Sequence, residues 1–185
     1  GENVLVQTPA YNCFFSSIAN NKCHVVENKL VESGDTYAID FDDFERKAAL
    51  PDTKIFLLCS PHNPVGRIWT ADELRRMADI CQEHSVAIIA DEIHSGIIMP
   101  GHSFTPFGSI GGQYQAHSVI AASCSKSFNT AGLQISYIIA RDERLRQAVD
   151  RAINVNEVCD VNPFGVIALQ VAFNECEDWL TEMCA

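Results

Sequence analysis

No stretch of this sequence approaches the roughly 18 consecutive apolar residues that cross a bilayer as a helix, and its first residues carry no signal-peptide pattern. Positive charge is scarce: 13 Lys and Arg stand against 24 Asp and Glu, a net charge of −11. Phosphate backbones ask for basic patches, so nucleic acid is excluded as a partner, and no segment reads as a membrane contact. Cys-x-x-Cys never occurs, although there are eight cysteines, at positions 13, 23, 59, 81, 124, 159, 176 and 184. Most of them lie inside apolar segments, as buried thiols do. The reading is therefore a reducing, cytoplasmic compartment with no zinc or other metal site. An extracellular disulfide framework is the alternative. Internal repeats and low-complexity stretches are missing too.

What remains is 185 residues, 47% hydrophobic, 9% aromatic and 20% charged, enough for one globular domain with a real core. The chain opens on Gly1 rather than Met, enters a strand by Val4, and stops within a helical pattern at "EDWLTEMCA". Both ends fit a piece of a longer protein.

Strand-like and helical runs alternate. Val4–Gln7, Cys23–Val26, Lys54–Leu58, Val86–Ala90, Ser118–Ala122 and Ile135–Ala140 read as strands. Asn12–Ala19, Phe41–Leu50, Thr70–His84, Arg141–Asn154 and Val161–Leu180 read as helices. Thr70 stands three residues before Glu73, a capping-box signature. This alternation predicts an α/β fold: three layers, α/β/α, around a mostly parallel sheet. The near-continuous apolar runs "KIFLLC" and "VAIIA" fit central strands buried on both faces. The last two strands are joined by a short polar segment, which predicts an antiparallel pair.

Ligands of such sheets gather at the carboxyl ends of the strands. There the sequence places "PAYNCF" after the first strand, "PHNPVGR" after "IFLLCS", "DEIHSG" after "VAIIA", and "SCSKS" after "VIAA". Four strand ends thus carry a tyrosine, an amide, a carboxylate and a lysine. A lysine amine freed of its proton is a nucleophile toward carbonyl groups. An aldehyde cofactor such as pyridoxal 5′-phosphate (PLP) provides that carbonyl, and it needs an acid at its pyridine nitrogen, a donor at its phenolic oxygen and a stacking aromatic.

"SPHNPVGR", "ADEIHSG" and "SCSKSFNTAGLQ" resemble the large domain of fold-type I, PLP-dependent enzymes of the class I/II aminotransferase family. Asn63 to Asp91 is 28 positions and Asp91 to Lys126 is 35, an order and spacing that family shares. The resemblance is closer to the cystathionine β-lyase-like, carbon–sulfur lyase branch, and it covers almost the whole chain. It implies that residues 1–185 are the central part of the PLP-binding large domain, without the N-terminal phosphate loop and the C-terminal small domain.

By that resemblance Lys126 is the Schiff-base lysine and Asp91 the partner of the pyridinium. Asn63 is the amide on the phenolic oxygen, and Tyr11 is the aromatic that stacks on the ring. Ser123 and Ser125 match positions near the phosphate, and His94 falls where many aminotransferases carry a tyrosine. Gln134 stands where many carry a phosphate-clamping arginine. Read alone, each residue admits a plainer role. Lys126 also fits a surface loop, Asp91 a strand-end or N-cap carboxylate, and Asn63-Pro64-Val65-Gly66 a turn with a candidate cis peptide bond. His94 also fits a packing role, Tyr11 the core, and Arg67 a surface or interface charge. Their joint occurrence favours the site for Lys126, Asp91 and Asn63. The implied reaction is β-elimination from cystathionine or a related cysteine S-conjugate, in a homodimer. Transamination and a non-catalytic, regulator-binding module are the alternatives.

Overall fold

In the computed structural model, which describes residues 1–155, 157 and 160–185, six strands form one sheet. They are β1 (Asn3–Thr8), β2 (His24–Lys29), β5 (Thr53–Cys59), β6 (Ala87–Asp91), β7 (Ser118–Ala122) and β8 (Tyr137–Ile139). Their order is β2-β1-β5-β6-β7-β8. Every neighbouring pair is parallel except β7 and β8, which run antiparallel as the short connection requires. A small hairpin, β3 (Val31–Ser33) with β4 (Thr36–Ala38), stands apart. It turns at Gly34, whose positive φ of 62° a glycine adopts without strain.

The two periodicities place the layers. In β5, Phe56 and Leu58 point to one face, where they pack with Phe44 of α2 (Phe41–Ala48) and Leu74 and Met77 of α3 (Ala71–Glu83). Ile55, Leu57 and Cys59 point to the other face, toward Phe14 and Ile18 of α1 (Asn12–Asn20). α3 begins with the expected box: the Thr70 hydroxyl accepts from Glu73 N–H, and the Glu73 carboxylate accepts from Thr70 N–H. Both sides of β5 are covered, as its unbroken apolar run requires.

Four expectations need correction. The single helix over Val161–Leu180 is two, α5 (Pro163–Glu175) and α6 (Glu177–Cys184), because Cys176 leaves helical geometry at φ −114° and ψ 25°. The strand over Ile135–Ala140 shortens to β8, since Gln134 turns the backbone into the left-handed region (φ 49°) just before it. The strands assigned from sequence omit the β3–β4 hairpin, whose strands are three residues each and too short for a pattern. Of the seven described cysteines, all unpaired, only Cys59, Cys81 and Cys124 are buried, and Cys159 lies outside the described residues.

The C-terminal helices α4 (Glu143–Val155), α5 and α6 carry much exposed apolar surface. α5 is apolar on all sides yet leaves Phe164 72% and Ile167 59% exposed. A helix of that kind is built for burial on every face. Among the described residues no helix is long and apolar enough to cross a membrane.

Candidate active site

Asp91 ends β6, paired in register with Cys59 at the end of β5. Alternation along β6 sends Ile88 and Ala90 into the α3-side core, so Asp91 faces the α1 side and Glu92 the opposite one. One Asp91 carboxylate oxygen, Oδ1, accepts from Ile93 N–H at 3.1 Å. Burial pushes the carboxyl group above the usual carboxylate range, and the Ile93 amide and the His94 imidazole pull it part of the way back. The other oxygen has no hydrogen bond among the described residues.

Asn63 is held in a rigid loop after β5. His62 N–H donates to Arg67 O at 2.7 Å, and Gly66 N–H closes the turn on His62 O at 2.8 Å with a φ of 72° that favours glycine. The His62 ring lies edge-on to Trp69, whose indole N–H donates to Cys59 O at 2.9 Å. His62 Nε2 meets Pro9 O at 2.9 Å and so ties this loop to the one that presents Tyr11. Burial pushes the His62 imidazole pKa down, so it is the neutral ring that donates there. The Thr8–Pro9, Ser60–Pro61 and Asn63–Pro64 peptide bonds are cis. Arg67 pairs with Glu73 and stacks 4.8 Å from the Trp69 ring centroid, which makes it a structural charge in this chain.

Lys126 lies in the turn after β7. Thr130 N–H donates to Ser125 O at 3.0 Å, and Phe128 N–H to Cys124 O at 2.9 Å. The opposing turn reaches it through Gly96. A Cβ on Gly96 would stand 2.5 Å from Ser127 Oγ and 2.9 Å from Ser127 Cβ, a gap that only glycine leaves open. The His94 turn and the Lys126 turn therefore touch. Burial holds the His94 imidazole below its ordinary pKa; the Asp91 carboxylate raises it, and the Lys126 ammonium lowers it further.

These turns enclose a pocket of about 250 Å³ lined by Tyr11, Asn63, Asp91, His94, Ser125 and Lys126, with Cys59 and Ile93 completing its wall. Six of the seven residues expected from sequence meet there. Ser123 is the exception: its hydroxyl donates to Ile135 O at 2.5 Å and accepts from Ser125 N–H at 2.9 Å, so it braces the lysine turn. Lys126 is exposed rather than desolvated. Tyr11 is 41% exposed and packs edge-on against Phe14 at 5.9 Å, a pocket wall rather than core. Sequence reading missed Cys59, Ile93 and Gly96. Gly96 alone had a visible signal, a glycine closing the "DEIHSG" turn.

The residues fit PLP. Asp91 offers a partly buried carboxylate with one oxygen left free by Ile93 N–H, the complement of a ring N–H, and Lys126 offers an amine on the same pocket wall. The aminotransferase class I and II family matches residues 1–183, and the chain belongs to it. Cystathionine beta-lyase PatB of Bacillus subtilis is 39% identical over 183 residues, which cover 99% of this chain and 47% of that protein. Cystalysin from Treponema denticola, whose crystal structure contains a pyridoxal 5′-phosphate cofactor, superposes with a TM-score of 0.95 at 35% identity, over 98% of this chain and 46% of that one. The PLP-bound C–S lyase from Staphylococcus hominis gives a TM-score of 0.91 at 34% identity, over 99% and 46%. The chain spans less than half the length of these relatives.

Proposed function

We propose that the protein containing this chain is a PLP-dependent carbon–sulfur lyase that converts cystathionine or another cysteine S-conjugate to a thiol, pyruvate and ammonia. The observation that carries this is the convergence of Asn63, Asp91 and Lys126 on one pocket, in a chain 39% identical to a cystathionine beta-lyase. PLP, when bound, supplies an aldehyde for the lysine amine and a protonated ring that takes up the electron pair left on Cα. Asp91 would hold the proton on the ring nitrogen, and Asn63 would donate its amide to the phenolic oxygen. Tyr11 would stack on the ring, Ser125 would donate to the phosphate, and Lys126 Nζ would take the Cα proton as general base. The thiolate would then leave Cβ with the carbon–sulfur bonding pair, and water would hydrolyse the released 2-aminoacrylate to pyruvate and ammonia. The lowered pKa of His94 favours a neutral imidazole near pH 7, able to donate one hydrogen bond without adding charge.

The same proposal takes residues 1–185 as the central part of the PLP-binding large domain. A phosphate loop, a small domain and a second copy complete the site of a cytoplasmic homodimer. The exposed Phe164 and Ile167 of α5 and the open edge of β8 support it, since each asks for a covering element. The test is the intact protein's visible spectrum and its products from cystathionine. A yellow protein that forms thiol and pyruvate with no 2-oxo acid added supports the lyase. Amino-group transfer to a 2-oxo acid without pyruvate would replace it with an aminotransferase.

A further inference from the structure

A second cavity, of about 500 Å³, adjoins the PLP pocket and shares Asn63 and His94 with it. The second cavity is therefore the neighbouring space into which a group attached to a substrate at the first pocket would extend. One part of its wall is apolar, from Ile68, Ile97, Met99 and the rings of Pro61 and Pro64. The rest is polar, from Thr36, His62, Asn63, Arg67, His94 and His102, and it is cationic or neutral rather than anionic; Arg67 Nε and His62 Nδ1 have no hydrogen-bond partner among the described residues. The Arg67 guanidinium is held by Glu73 and Trp69, and His62 is buried against Pro9 O and Trp69. Burial keeps the imidazoles of His62 and His94 toward their neutral forms. No carboxylate lines this chamber among the described residues.

The sulfur substituent of a cysteine conjugate is what must extend beyond Cβ. In cystathionine that substituent ends in an ammonium and a carboxylate. Its ammonium would find no anionic side chain here, and a charge moved out of water without a partner is costly. An alkyl or aryl substituent meets Ile68, Ile97 and Met99 instead and gains from leaving water.

We propose that this chamber receives the sulfur substituent and selects cysteine S-conjugates bearing neutral alkyl or aryl groups over cystathionine. The inference rests on the lyase reading and narrows its substrate class.

Two thioether acids without an α-amino group, 3-(benzylthio)propanoate and 3-(methylthio)propanoate, bind without reacting and report the chamber directly. In the intact holoenzyme, calorimetric titration is expected to give the benzyl compound a dissociation constant about tenfold or more below that of the methyl compound. Ile97→Asp, which places a carboxylate in the apolar wall, should bring that ratio close to one, and Ile97→Leu should preserve it. In turnover, S-benzylcysteine should exceed cystathionine in kcat/KM by about tenfold, and Ile97→Asp should shrink that preference. Equal affinities for the two acids, or a ratio that Ile97→Asp leaves unchanged, would overturn the chamber assignment. β-Chloroalanine loses only chloride and does not need the chamber, so its turnover isolates the parent reading. Failure of the wild-type enzyme to release pyruvate from it would overturn the lyase, and the substrate class with it, even if the binding ratio held.

Discussion

Cys59 and Asp91 stand side by side at the ends of β5 and β6, in register, and both line the candidate pocket. Burial pushes the Cys59 thiol up to about 12; the Asn63 amide lowers it somewhat, and the Asp91 carboxylate adds to the rise. At pH 8 only about one Cys59 in ten thousand is then a thiolate, the form that reacts. Cys13 is exposed and unpaired. Limited alkylation followed by peptide mapping should label Cys13 well before Cys59. Asp91→Asn removes the neighbouring charge and should speed Cys59 labelling severalfold.

In the proposed mechanism the same carboxylate holds the ring proton. Asp91→Asn keeps the side chain's shape and loses its charge, so the variant should still bind PLP. One pKa unit is about 1.4 kcal/mol, and an ion pair in such a site moves a pKa by roughly one to three units. A fall in kcat of between about tenfold and about a thousandfold is expected. Near-normal turnover would remove Asp91 from the mechanism.

Glu92, on the opposite face of the sheet, is a separate case. Its buried carboxylate accepts from Phe107 N–H at 2.6 Å, yet burial raises its pKa to about 7, with the Phe107 amide lowering it and the Asp91 charge adding to the rise. The folded protein therefore holds this proton at pH values where the unfolded chain has released it. The resulting stability is fully present below about pH 4.5 and is lost as pH rises to about 7. The loss is on the order of 3 kcal/mol from this residue alone, and less if the site relaxes. Glu92→Gln retains the acceptor for Phe107 and cannot ionise. Thermal unfolding should find the variant about 1–2 kcal/mol more stable at pH 8 and little changed at pH 5.

Gly96 is the contact point of the two site turns. Gly96→Ala drives a methyl group into Ser127, next to Lys126, and either turn must move. A stability loss of about 1–3 kcal/mol is expected, as for other overpacked sites. PLP affinity should fall with it. Ser127→Gly in the same chain should recover much of both, because it removes the atoms that clash.

The sheet was legible because β5 and β6 are central: burial on both faces leaves unbroken apolar runs, and Phe56 and Leu58 cannot be mistaken for loop. The edges were not. β3 and β4 are three residues each and mostly exposed, and β8 is cut short by a backbone turn at Gln134 that no side-chain pattern announces. α5 and α6 merged in the sequence because both sides of Cys176 are helical in character. That Lys126, Asp91 and Asn63 would meet in one pocket was legible through motif and spacing. The role of Ser123 was not, since a hydroxyl three residues before a lysine does not reveal that it bonds Ile135 O across the turn. Gly96 and Cys59 act by proximity to other elements, which only the folded chain supplies.

The central claim is that Lys126 is the residue that attaches the cofactor. Borohydride reduction of the intact protein with PLP, followed by proteolysis and mass mapping, tests it most directly. Reduction fixes a lysine–PLP linkage as a stable secondary amine. The peptide containing Lys126 should carry the pyridoxyl group at close to one per chain, and Lys126→Ala should carry none. Label on Lys22, Lys29, Lys47 or Lys54 in place of Lys126 would contradict the account.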